Sequence, residues 1–225
     1  MQKLNLLKTV YRTLYENSKI PHRFCTQKSH QTCWNCGTYA LELLCPNCNS
    51  IQHPPSMPNY FNLFNIEENY EVNQPLLTRK YRQLQAVLHP DRFSHKSQTE
   101  KDISADYSAL VNNAYGTLQK PLERGIYMLH LHGERIDESD RGTDPNFLME
   151  IMQLNEEIEE AQTADELRHL NKKSKEKLDC ITQKLATCFR DNNFQAAKEL
   201  IIQLKYYSSV SVHVNSILRE RGVVD

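Results

Sequence analysis

Apolar residues recur at helical spacing along most of this chain. Leu77, Tyr81, Leu84 and Leu88 fall at i, i+4, i+7 and i+11, one face of an α-helix. Arg79, Lys80 and Arg82 lie off that stripe and are expected to stay in water. Pro90 stops the pattern and pushes His89 out of helical geometry. A second stripe follows in Ile103, Tyr107, Leu110, Ala114 and Leu118. Pro121 can open a further helix, Leu122 to His132, with Ile126, Leu129 and His130 on its inner side and Gly133 at its end. Gly133 to Thr143 is polar and reads as a hinge or surface loop. Three long helical patterns complete the chain, at about 144–162, 165–190 and 193–219. Asp144-Pro145 starts the first; Asp165 and Asn192 or Asn193 mark the short joins. Short joins imply antiparallel neighbours. The predicted fold is therefore all-α: a helical hairpin, then a C-terminal three-helix bundle over 144–222, with no strand signal outside a short cysteine-rich segment.

One helix of that bundle is patterned on two sides. Phe147, Ile151, Leu154, Ile158 and Ala161 form a complete core stripe. Leu148, Met149 and Met152 are also apolar, yet they point about 100 to 200° away from it. Glu156 and Glu160 continue the second face in i+4 steps. One bundle does not easily bury both faces. Adaptable methionines with an acidic rim suit a protein-binding surface. On spacing alone, packing of this face against the preceding hairpin remains an equal alternative.

Composition narrows the function classes. At 225 residues the chain is long enough for more than one unit. A net charge of −1 argues against a general nucleic-acid binder. No apolar run is long enough to span a membrane. Residues 1–31 differ from the rest: Lys3, Lys8, Arg12, Lys19, Arg23 and Lys28 stand against a single acid, Glu16. Leu4, Leu7, Tyr11 and Leu14 can share a helical face. A basic, acid-poor, amphipathic leader reads as a mitochondrial presequence, which would place the mature protein in the matrix. A frayed basic tail on a cytoplasmic protein is the alternative.

Cys33-x-x-Cys36 and Cys45-x-x-Cys48 lie within a sixteen-residue stretch. Each pair can set two thiolates on a tight turn, which Gly37 and Pro46 suit. Two facing turns give the four sulfurs of a closed tetrahedral site, so segment 32–53 is expected to be a knuckle holding structural Zn²⁺. Metal ligation would supply most of its folding free energy. Two disulfides, a dithiol redox motif and bound iron are the alternatives. Cys180 and Cys188 are too far apart to share a metal, and Cys25 lies in the leader. Pro54, Pro55 and Pro58 then make a stiff connector.

Two amphipathic helices joined through His89-Pro90-Asp91 resemble a J-domain, the module that docks on DnaK-type chaperones and stimulates their ATPase. The flanks carry the likeness further: Tyr60-Phe61-x-Leu63-Phe64 upstream, Lys80-Tyr81-Arg82-x-Leu84 before the tripeptide, and Val111-Asn112-Asn113-Ala114-Tyr115-x-x-Leu118 after it. Gly116 departs from a good helix, at about 1 kcal/mol against Ala. The J-like unit with its following helix is placed at 59–132. With Gly125-x-Tyr127-x-Leu129-x-Leu131-His132-Gly133, Phe147-Leu148-Met149-Glu150 and the knuckle Cys33-Trp34-Asn35-Cys36-Gly37…Cys45-Pro46-x-Cys48, the chain resembles the iron–sulfur cluster co-chaperone HscB family, in its animal mitochondrial form. The likeness covers almost everything from Cys33 onward.

That resemblance implies an adaptor. His89, Pro90 and Asp91 would trigger ATP hydrolysis on a DnaK-type mitochondrial chaperone, with Arg79, Lys80 and Arg82 steering the encounter. Leu148, Met149, Met152, Glu156, Glu160 and Tyr206 would hold an IscU-type scaffold. Gln153 stands where bacterial members have an acid, and Tyr207 competes with Tyr206. Neither catalytic residues, nucleic acid nor membrane is implied, and a weak homodimer stays open. The alternatives are a general J-domain co-chaperone for unfolded clients and a zinc-knuckle nucleic-acid-binding protein. His89 and Asp91 as an enzymatic acid–base pair would need a pocket that an exposed turn does not provide.

Overall fold

A computed structural model of the chain describes residues 32–136 and 144–223. The basic leader 1–31, with Cys25, and the middle of the polar linker lie outside the described residues. Among the described residues the architecture is all-α apart from two isolated antiparallel bridges in the knuckle, Thr32 with Tyr39 and Leu44 with Ile51.

Among the described residues eight helices follow the knuckle: α1 Tyr60–Leu63, α2 Gln74–Leu88, α3 Pro90–Phe93, α4 Gln98–Gln119, α5 Pro121–Leu131, α6 Pro145–Glu160, α7 Ala164–Arg190 and α8 Phe194–Glu220. Most begin at a side-chain cap. The Asn73 carboxamide accepts from the Leu76 amide at 3.0 Å. Ser97 and Glu100 form a reciprocal capping box on α4, and Thr163 and Glu166 form another on α7. The second box moves the start of α7 ahead of Asp165, the join expected from the sequence. Asn192 and Asn193 divide the other join. Asn192 takes φ +54°, which turns the chain out of α7, and Asn193 caps α8.

The helices pack as two pairs with a bridge between them. α2 lies against α4, and α7 runs beside α8, with α6 laid across both. A polar ladder ties the first pair: Gln85 donates to Asn112 at 2.7 Å, Ser108 donates to Gln85 at 3.0 Å, and the Tyr81 hydroxyl donates to Asn112 at 3.0 Å. α5 bridges the pairs, packing on both α4 and α8. This corrects the expected inner face of α5. Leu129 is buried, but Ile126 and His130 are only half-buried, while Arg124, Tyr127 and Met128 are buried. A helix covered from two sides has no single stripe to read.

The bridge is tight. A Cβ on Gly125 would sit 3.2 Å from the Ile201 side chain and 3.5 Å from the Tyr70 ring. Tyr70 stacks on Phe189 of α7 with centroids 5.3 Å apart, and its hydroxyl donates to the Pro121 carbonyl at 3.1 Å. Burial pushes the Tyr70 phenol up to about 12. The buried Arg124 guanidinium also lies over that ring, 4.8 Å from its centroid, and donates to the Leu118 carbonyl at 2.6 Å. Ion pairs rim the seam, Arg190 with Glu71 at 3.2 Å and Lys198 with Glu134 at 2.9 Å. The buried residues of hairpin and bundle form one continuous cluster that also takes in Ile51 of the knuckle.

The two helical glycines should respond oppositely to a side chain. Gly116 in α4 has open space at its Cβ position, so Gly116→Ala is expected to stabilise by about 1 kcal/mol. Gly125→Val forces side chain into the α5–α8 seam and is expected to destabilise by about 1–3 kcal/mol. Equilibrium urea unfolding of both variants checks the pair.

Candidate functional site

Three groups of residues carry the chemistry, and they sit on different parts of the fold. The first is the His89-Pro90-Asp91 turn. α2 ends at Leu88, and His89 adopts φ −58°, ψ 131°. Pro90 then opens the one-turn helix α3, so the turn expected from the sequence is itself a helix start. His89 caps that turn: its Nδ1 accepts from the Asp91 amide at 3.3 Å and lies 3.5 Å from Asp91 Oδ2. Both side chains are open, at 60% and 91% exposure. Arg92 was not singled out from the sequence. Its guanidinium donates to the Ala86 carbonyl at 3.3 Å, on one of the last α2 carbonyls that lack a helical partner. Arg79 and Arg82 are exposed on α2 as expected, but Lys80 is half-buried, a correction to its place in water. A Lys side chain can bury part of its stem and still keep its ammonium in water.

The second group is the outer face of α6. Met149 and Met152 are 68% and 53% exposed, and Glu156 and Glu160 are exposed beyond them. Packing against the preceding hairpin, the alternative for this face, does not occur. Leu148 is half-buried against the core. Gln153 is exposed and donates to Glu157 at 3.4 Å. Tyr206 is corrected: it is 5% exposed, set edge-on to Phe147 with centroids 5.6 Å apart. It stands beneath α6 rather than on the open face. Tyr207 is buried too. Neighbouring residues both turn inward because α8 packs against α5, α6 and α7 together. Tyr207 donates to Glu150 Oε1 at 2.8 Å, and Lys177 approaches the same oxygen at 3.2 Å. The Tyr207 hydroxyl, and then Lys177, hold the Glu150 carboxyl below its usual range.

The third group is the knuckle. Cys33 Sγ lies 3.6 Å from Cys48 Sγ, and Cys36 Sγ lies 3.6 Å from Cys45 Sγ. All four sulfurs fall within 4.8 Å of one another. The two turns match: Gly37 donates to the Cys33 carbonyl and Asn49 to the Cys45 carbonyl, each at 2.9 Å. Gly37 and Asn49 take φ +72° and +58°, left-handed positions that glycine and asparagine tolerate best. A tetrahedron with Zn–S bonds of about 2.3 Å has edges of about 3.8 Å, close to these separations. The sulfurs are too far apart for disulfides, whose bond is about 2.05 Å. The donors around them fit thiolates. The Asn35 amide and the Gln52 carboxamide donate to Cys33 at 3.4 and 3.3 Å, and Asn47 donates to Cys36 at 3.7 Å. Hydrogen bonds from Thr38, side chain first, lower the Cys36 thiol to about 5. The four cysteines can therefore hold a metal ion. The side-chain donors Asn47 and Gln52 were not singled out from the sequence; their one signal was a carboxamide beside the cysteines.

Comparison with known proteins fits this geometry. A family model described as the HSCB C-terminal oligomerisation domain matches residues 143–215. The iron–sulfur cluster co-chaperone protein HscB of Homo sapiens is 38% identical over 188 residues, 81% of this chain and 80% of its own. The chain belongs to the HscB co-chaperone family. The HscB homolog of Arabidopsis thaliana is 38% identical over 184 residues, 82% of this chain and 73% of its own. Among solved structures, human co-chaperone HscB matches with a TM-score of 0.79 at 37% identity, covering 83% of this chain and 98% of that one. HscB from Vibrio cholerae matches at 0.67 and 30% identity, covering 74% of this chain and all of its own.

Three outcomes test the local chemistry. Cys45→Ser should release bound metal and broaden the knuckle amide signals while the helical circular dichroism persists. Wild-type protein should lose the metal as pH falls, because protons compete for the thiolates; metal analysis after dialysis at stepped pH checks both. Tyr207→Phe should raise the Glu150 pKa toward its ordinary value. Wild-type Glu150 stabilises the fold above its unfolded pKa and loses that contribution as pH falls through its lowered folded pKa. The Phe variant should show a smaller acid-dependent loss, read by carboxyl NMR titration with thermal melts.

Proposed function

We propose that this HscB-family chain is a two-handed adaptor for iron–sulfur cluster transfer in mitochondria. One hand is the His89-Pro90-Asp91 turn, which engages an ATP-bound DnaK-type chaperone and stimulates its ATPase. The other is the outer face of α6, which engages a folded IscU-type scaffold through Leu148, Met149 and Met152 with Glu156 and Glu160 at the acidic end. Tyr206 supports that face from beneath. The chain performs no bond chemistry of its own. Its knuckle cysteines Cys33, Cys36, Cys45 and Cys48 hold a structural Zn²⁺.

The observation that carries the reading is the simultaneous exposure of two unlike surfaces on one continuous core. His89 and Asp91 stand in solvent at the end of α2, while Met149 and Met152 stand in solvent on α6. The seam around Gly125 and Tyr70 joins the units that bear them. Holding both partners at once raises the effective concentration of scaffold at the chaperone's substrate groove. Arg79 and Arg82 would speed the encounter with an acidic chaperone surface, an effect that weakens with salt. The basic leader supports a mitochondrial address. No helix among the described residues is long and apolar enough to cross a membrane.

ATPase assays of a mitochondrial DnaK-type chaperone, with and without scaffold, test the adaptor. Wild type should stimulate, and more so with scaffold present. His89→Gln should stimulate at least about tenfold less and still bind scaffold. Leu148→Ala with Met152→Ala should weaken scaffold binding by about tenfold and leave basal stimulation intact. Full activity of His89→Gln would sink the chaperone hand. Equal binding of many denatured chains would favour a general J-protein instead.

A further inference from the structure

The His89-Pro90-Asp91 turn depends on how α2 ends, and α2 ends on a hydroxyl from another helix. Ser104, on the second turn of α4, donates from Oγ to the Leu88 carbonyl at 2.9 Å. Both residues are buried, Ser104 at 3% exposure and Leu88 at 0%. Leu88 is the last residue of α2, and its carbonyl belongs to the peptide bond that leads into His89. That carbonyl has no later helical amide to accept from, because Pro90 restarts the chain as a separate helix. A serine within a helix ordinarily turns its hydroxyl back to the carbonyl four residues earlier. Ser208 and Thr182 do so here, bonding to Leu204 and Leu178. Ser104 reaches across to α2 instead.

We infer that Ser104 is a positioning residue for the tripeptide: its hydroxyl orients the Leu88–His89 peptide plane and so sets the direction in which His89 is presented. Three contacts then hold the turn from three sides. Ser104 fixes the entering peptide, Arg92 reaches back to the Ala86 carbonyl, and the Asp91 amide fixes the His89 ring through Nδ1. Of these, only the Ser104 bond is sealed from water, so solvent cannot replace its donor. The inference rests on the proposed role of His89 at the chaperone, but its structural half stands apart from that role.

Ser174 supplies a matched control. It is a buried serine of α7 whose hydroxyl crosses to the Tyr207 carbonyl at 3.3 Å, within the bundle and away from the turn. Ser104→Ala and Ser174→Ala should lower Tm by similar amounts, about 3 °C each. Only Ser104→Ala should reduce maximal chaperone stimulation, by about fivefold, with the half-saturating concentration and scaffold binding near wild type. It should also shift the His89 and Asp91 amide signals in NMR spectra, which Ser174→Ala leaves in place. Equal maximal stimulation by the two variants, at matched stability, overturns the inference. Should wild type itself fail to stimulate, the adaptor reading falls, and the His89 and Asp91 signals decide the positioning role alone: unmoved signals in Ser104→Ala overturn it, and shifted ones uphold it.

Discussion

The close approach of α5 to α8 is the constraint on which the rest of the architecture depends. Gly125 brings the two backbones near enough for Ile201 and Tyr70 to fill the space a side chain would take. Around that contact, the Tyr70 ring meets both Phe189 and the Arg124 guanidinium. An arginine so well buried needs its charge answered locally. Among the described residues, the Leu118 carbonyl and the face of the Tyr70 ring do this. Hairpin and bundle thereby share a core instead of meeting through a flexible link. Surfaces on either unit therefore keep a set relation to each other, as the proposed adaptor role would require.

The knuckle is built on a different principle. Its own interior amounts to little more than Cys33, Cys45 and Ala40, too small to fold on hydrophobic burial. Order comes from two matched turns that converge four sulfurs, with donors from Asn35, Asn47 and Gln52 arranged about them. Ile51 is the exception, since it belongs to the main core and ties the knuckle to the helices. A cysteine cluster able to hold a metal and a buried anchor in the main core are thus joined in one segment.

Helix starts were legible where a capping side chain stood out beside a break in the pattern. Asp144 and Asn193 each stand one residue ahead of their helices and accept an amide hydrogen bond there, whereas the caps Asn73, Ser97 and Thr163 emerged only from the structure. The core stripe of α6 was equally plain, because one side of that helix is covered and the other is not. Elements with more than one neighbour were not legible in this way. α5 buries Arg124 and Met128 as well as Leu129, and α8 buries both Tyr206 and Tyr207. A single period of 3.6 residues cannot report two or three contacting faces at once.

The amino-acid sequence by itself determined the helical class, the paired cysteines and the His89-Pro90-Asp91 turn, since each depends on residues close together in the chain. Spacing, caps and a proline's missing amide act over a few residues and need no fold to be read. Only the tertiary structure decided that the α6 methionines face solvent, that Tyr206 lies beneath them, and that Arg124 and Ser104 serve as buried donors to Leu118 and Leu88. Burial is a property of what packs against a side chain. For these residues the packing partner is another helix, so their environment is set by the fold and not by their neighbours in sequence.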